Sequence, residues 1–329
     1  MEAVQVTGQD AVQDGDAGEP DPNRPDLAPH GLPGDIERPV GPHAGIPGFP
    51  PENLLFTPEQ ARRCVAARVE EGADYIKLVL ERPGAGGPDQ DTATAAVEAA
   101  RAAGLRVVAH TSHTGAVELA VRAGVDVLTH APLDADLDPG LVRAITDAGC
   151  VLVPTLTMMR GTAHNLDVPA LSYEHARNAV TALHRAGATV VAGTDANNAP
   201  GVPAAVPHGS SLHDELGLLV EAGPSPLEAL RSATRAAADA FGLTDRGRVR
   251  PGLRADLLLV GGDPVDVIGA TRDVRAVWTA GRAVGTVGHE DLAGRCPPSG
   301  TESVRAHRSS PGARAEASPD SSRKEAACD

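Results

Sequence analysis

One short phrase recurs five times between residues 53 and 195, and it limits the fold more than any other feature of the chain. Each copy leaves an Ala-rich helical stretch, passes through Gly, enters a β-branched run and stops at a polar residue. The copies are EEGADYIKL from Glu70, AAGLRVVAH from Ala102, RAGVDVLTH from Arg122, DAGCVLVPT from Asp147 and RAGATVVAGTD from Arg185. Gly just past a helix is a stop signal, because it takes the left-handed conformation without Cβ strain. The runs that follow are near-continuous in apolar residues rather than alternating, as expected for parallel strands covered on both faces. Amphipathic stretches such as DTATAAVEAARAA, TGAVELAVRA and YEHARNAVTALHRA lie between them. The chain reads as an α/β protein built from βα units on a parallel sheet.

The five runs end at Lys77, His110, His130, Thr155 and Asp195. In parallel α/β folds the C-terminal strand ends and the loops after them form the active-site face. A lone His or Asp at a strand end is commonly a structural hydrogen-bonding group. Regular placement favours a site instead: the offset from Gly is five residues for Lys77 and six for both His110 and His130. Imidazole and carboxylate suit zinc, manganese and related divalent ions. Lys77 is the unusual member. Twenty-seven of the 29 basic residues are arginine, and the other lysine is Lys324, close to the C-terminus. A neutral amine can add carbon dioxide to form a carbamate, whereas a guanidinium stays protonated. An ammonium group is no metal ligand, so Lys77 belongs on this face only as a carbamate.

Composition excludes several function classes. The net charge of −15 argues against a nucleic-acid partner. No stretch approaches a membrane span, and Met1 is followed by acidic and polar residues, so a cytoplasmic protein is expected. Residues are 41% hydrophobic but only 2% aromatic, which leaves Ala, Val and Leu to build the core. The cysteines Cys64, Cys150, Cys296 and Cys328 lack metal-knuckle spacing and indicate no disulfide framework. Residues 1–52 are rich in Pro, Gly and Asp without apolar periodicity and are expected to be disordered or extended, and residues 288–329 read as a disordered tail.

The ordered motifs resemble the amidohydrolase superfamily of metal-dependent hydrolases, in particular its imidazolonepropionase-like and Xaa-Pro dipeptidase-like branch. GADYIKL is similar to the strand that bears a carboxylated lysine, and VVAHTSH and VDVLTHAP to the two single-histidine strands. AGTDA is similar to the last barrel strand, with its metal-binding and proton-accepting aspartate. HGSSLHDELGLLVEAGPSPLEALRSATRAAADAFGL resembles the closing helices, and RGRVRPGLRADLLLVGGDPVDV with VRAVWTAGRAV resembles the small β-sandwich. The family's first barrel strand carries an HxH motif, and this sequence contains none.

The resemblance implies a partial (β/α)8 barrel over residues 53–245, comprising about the last five βα units, and a small β-sandwich portion over 246–287. A member lacking its first strands is the expectation. The implied activity is hydrolysis of C–N bonds in an amide, lactam or dipeptide by metal-activated water. Lys77 as its carbamate, His110, His130 and Asp195 would be metal ligands, and Asp195 would also be the catalytic base. The cofactor would be one or two divalent ions, zinc first among them, with the second position lacking its HxH ligands. His208 and His213 are candidates for the substrate pocket. A small molecule is the expected partner, with neither nucleic acid nor membrane, and a homo-oligomer would protect exposed strand edges. The alternative is a catalytically inactive fragment or a partner-dependent scaffold. His113 reads as a loop residue; His164, His175 and His184 as surface positions; Glu118, Asp214 and Glu215 as helix-face charges.

Overall fold

A computed structural model describes residues 54–82, 84–198 and 202–284. Expectations for residues 1–52 and 288–329 lie outside the described residues. Within residues 54–284 the first half alternates helix and strand: α1 (Pro58–Glu70), β1 (Tyr75–Val79), α2 (Gln90–Ala102), β2 (Arg106–His110), α3 (Thr114–Ala123), β3 (Val127–Thr129), α4 (Pro139–Asp147) and β4 (Val151–Leu152). Five helices follow: α5 (Leu156–Leu166), α6 (Tyr173–Arg185), α7 (Ser210–Glu221), α8 (Pro226–Ser232) and α9 (Arg235–Ala240). The last part holds β5 (Leu257–Val260), a 3₁₀ helix (Ile268–Arg272), β6 (Val274–Thr279) and β7 (Arg282–Ala283). Among the described residues no helix is long and apolar enough to cross a membrane.

Strands β1 to β4 form a parallel sheet in chain order. The glycine of each repeated phrase has φ between +67° and +83°, in the left-handed region that the helix stop requires. At Gly124, for example, this conformation lets its N–H close onto the Ala120 and Val121 carbonyls at the end of α3. The fifth run departs from the expected strand. Only Val190 pairs with β4, through Leu152 N–H to the Thr189 carbonyl and Val191 N–H to the Leu152 carbonyl, each 2.9 Å. Beyond Leu152 the ladder loses a donor at Pro154, and Thr155 turns the chain into α5. The sheet thus continues through one bridge rather than a fifth regular strand.

Two cores sandwich the sheet. Ile76, Leu78, Val107, Ala109, Leu128 and Leu152 face the larger one, against the Ala-rich faces of the helices. Small alanines let the helices lie close to the strands, which is how so few aromatic residues suffice. On the other face Val108, Val127, Val151 and Val191 pack with Ala240 of α9. Strands β5, β6 and β7 make a separate three-stranded antiparallel sheet, with an irregularity in register between Leu259 and Val260.

Candidate metal and active site

Side-chain alternation and register place the candidate residues. Lys77 lies in one row with Val108, Val127 and Val151, the row of the smaller core. The next row toward the strand ends contains Val79, His110 and Thr129. Lys77 and His110 therefore share a sheet face on adjacent strands, one side-chain layer apart. His130 follows the last residue of β3 and is buried. Its ring meets that of His110 edge to face, with centroids 4.7 Å apart and planes at 76°.

The contact is made through nitrogen. His130 Nε2 lies 3.1 Å from His110 Nδ1. Two imidazole nitrogens bound to one zinc in tetrahedral geometry, each ~2.0–2.1 Å from the ion, sit roughly 3.3 Å apart. The observed pair fits adjacent ligand positions on one ion. Among the described residues no three His, Cys, Asp or Glu side chains are grouped to hold a metal ion.

Lys77 keeps part of its surface, but the surrounding protein strips water from its amine. Burial lowers its pKa from 10.5 to about 8, while the Asp195 carboxylate acts in the opposite sense. The Asp195 carboxylate is therefore near enough to bias the lysine. Asp195 is half-buried and has φ of +52°, and its carbonyl accepts a hydrogen bond from Asn197 Nδ2 at 2.9 Å. Just before it, Gly193 is needed for close approach: a Cβ there would lie 2.5 Å from Val153 Cγ1.

Thr155 and Glu215 complete a second layer. Thr155 is buried, and its Oγ1 lies 2.5 Å from His130 Nδ1. It occupies the N-cap position of α5 at φ +49° and makes no side-chain cap bond. A β-branched residue in that region costs on the order of 1–3 kcal/mol, so surrounding contacts must hold it. Glu215 supplies them. Its Oε1 accepts from Leu156 N–H at 2.9 Å, and its Oε2 accepts from Thr157 N–H at 2.8 Å and Thr157 Oγ1 at 2.9 Å.

The expectation of a helix-face charge at Glu215 is corrected by its complete burial. Desolvation raises its pKa from 4.5 to about 7 against the pull of those three bonds. A signal for this was present in α7, whose buried positions are Ser211, Glu215, Leu216, Leu218 and Leu219. Glu215 falls on the helix's apolar stripe, four residues from Ser211 and from Leu219.

The remaining histidines lie elsewhere. His208 is exposed in the turn before α7. His213 is at the end of the first turn of α7, where burial and the nearby Arg272 guanidinium lower its pKa and Asp214 opposes them. His113 is the N-cap residue of α3, and its Nδ1 lies 3.1 Å from Ser112 Oγ. His175 pairs with Asp136 at 2.7 Å, and His184 stands 3.9 Å from Glu228. His164 is exposed on α5, and Glu118 is exposed on α3.

A sequence model of the amidohydrolase family matches residues 34–286. The chain belongs to the amidohydrolase family. An uncharacterized protein of Mycobacterium tuberculosis (strain H37Rv) is 30% identical over 264 residues, covering 73% of this chain and 65% of that protein. The imidazolonepropionase of Salinispora arenicola is 34% identical over 194 residues, covering 57% of this chain and 44% of the relative. This amidohydrolase thus spans less than two thirds of the length of either relative. Its fold is similar to part of a Xaa-Pro dipeptidase solved with bound methionine: TM-score 0.60 at 23% identity, covering 69% of this chain and 58% of that one. Phenylurea hydrolase B gives a TM-score of 0.57 at 26% identity, with coverages of 70% and 57%.

Proposed function

We propose that this amidohydrolase contributes the lysine, two-histidine and aspartate side of a metal-dependent site that hydrolyses C–N bonds in a small amide, lactam or dipeptide. The observation that carries this reading is the 3.1 Å approach of His130 Nε2 to His110 Nδ1 at the ends of adjacent strands. It agrees with the imidazolonepropionase relative and the Xaa-Pro dipeptidase neighbour, whose names point to small substrates with a scissile C–N bond. The βα units are read as part of a (β/α)8 barrel, with the site at the C-terminal ends of the strands.

In this reading His110 and His130 hold a divalent ion, zinc being well suited to nitrogen donors. Lys77 adds carbon dioxide through its neutral amine, and the resulting carbamate presents anionic oxygens beside the pair. A bound metal supplies Lewis-acid polarisation and makes water a nucleophile near neutral pH. Asp195 accepts the proton of the attacking water and passes it to the departing nitrogen. The smaller core below Lys77 excludes bulk water from the amine. His208 and His213 remain candidates for substrate contact. The substrate is a small molecule, and a homo-oligomer or cytoplasmic location would be compatible with this chemistry.

A second reading is a scaffold that acts only with a partner. It draws on the sequence's lack of any HxH, which leaves the other metal position without its usual ligand pair. Metal analysis of the purified chain after incubation with zinc and bicarbonate, combined with hydrolysis of a dipeptide and lactam panel, separates the two. At least one equivalent of zinc with measurable hydrolysis is expected. Substoichiometric metal and no turnover would overturn the hydrolase reading.

A further inference from the structure

We propose that Glu215 is a positioning residue for His130, acting through Thr155. A threonine at a helix N-cap ordinarily turns its hydroxyl toward the N–H groups of its own first turn. Thr155 does not: its Oγ1 is directed to His130 Nδ1, and α5 has no cap bond from its own N-cap side chain. The N–H groups of Leu156 and Thr157 bond instead to the carboxylate of Glu215, 59 and 58 residues further along. An anion at a helix N-terminus also meets the favourable end of the helix dipole.

Glu215 therefore caps α5 in place of Thr155 and leaves the threonine hydroxyl available to the histidine. With Thr155 Oγ1 accepting from Nδ1–H, the lone pair of His130 is on Nε2, the atom directed at His110. Partners behind a metal-binding histidine set its tautomer and ring orientation in this manner. Without the Glu215 acceptors, the first turn of α5 would recapture the Thr155 hydroxyl and release the His130 ring. This inference rests on the reading of His130 as a metal ligand, but its structural step concerns the metal-free protein.

The test uses the full chain. Imidazole nitrogen NMR of the metal-free protein reports the His130 tautomer, and competition with a chelator reports zinc affinity. Glu215→Gln and Thr155→Val should each mix the tautomers and weaken zinc binding roughly 10–100-fold. Thr155→Ser should retain both properties, and the double variant should be no weaker than the weaker single one, because both changes cut one chain of contacts. An unchanged tautomer and affinity in Glu215→Gln, or additive losses in the double variant, would overturn the proposal. If Glu215→Gln does not fold, Thr157→Val removes one of the three donors to the carboxylate, and the Thr155 pair supplies the same comparison. Should the parent chain bind no zinc, the metal reading fails, while the tautomer comparison still decides the positioning role.

Discussion

His130 Nε2 lies 3.1 Å from His110 Nδ1, although twenty residues and the whole of α3 separate them in sequence. The parallel pairing of β2 with β3 brings the two strand ends together, and Thr155 steadies the far side of the second ring. Replacing either histidine by Asn should abolish stoichiometric zinc uptake, measured by elemental analysis after dialysis. Full occupancy in both variants would remove the pair from the metal site.

Lys77→Arg keeps a positive charge but cannot form a carbamate. Zinc-dependent hydrolysis should vanish, and added bicarbonate should not restore it. In the parent protein the burial-lowered pKa of about 8 makes the neutral amine abundant as pH rises through that value. Bicarbonate-dependent activation should therefore increase between neutral and mildly alkaline pH. A pH-independent response would count against carbamate formation on Lys77.

Asp195→Asn should lower kcat by roughly 10²–10⁴, the usual contribution of a positioned acid–base group, with zinc bound by the histidine pair retained. Loss of zinc together with activity would make Asp195 a ligand first and a base second.

Glu215 makes stability fall with rising pH. Its folded pKa, about 7, lies above the 4.5 of the ordinary carboxyl, so between those values the folded chain holds a proton that the unfolded chain has released. Stability from this group is complete below the unfolded value and is lost as pH climbs to the folded one, by a ceiling of about 3 kcal/mol. Denaturant titrations of the metal-free protein at pH 5 and pH 8 should show the loss, and Glu215→Gln should flatten it.

Gly193→Ala should destabilise the chain by about 1–3 kcal/mol through overpacking, since the added methyl would meet Val153. The double variant Gly193→Ala/Val153→Ala should recover part of that loss in thermal melts. No recovery would show that the glycine serves something other than this contact.

The βα order and its helix stops were legible because they depend on short-range properties. Apolar runs, amphipathic periods and Gly at the left-handed position act within a few residues of one another. The same logic placed His110 at the end of β2 and His130 just after β3, since the face of a strand follows from its alternation. The expected strand end at Lys77 is corrected, because β1 runs on to Val79 and leaves the lysine mid-strand. It overestimated the fifth run: VVAGTD has strand-like composition, but its would-be neighbour β4 is only two residues long before Pro154. Pairing needs a partner, and the partner's length is set elsewhere in the chain.

The sequence by itself therefore determined the repeated unit, the family resemblance and the order of the lysine, histidines and aspartate along the chain. Only the tertiary structure decided which nitrogens of His110 and His130 meet, that Thr155 serves a histidine rather than its own helix, and that Glu215 is buried. The physical reason is the range of the interactions. Helix and strand signals are local, whereas a buried carboxylate is tolerable only with donors that can lie anywhere in the chain, here 58 and 59 residues away.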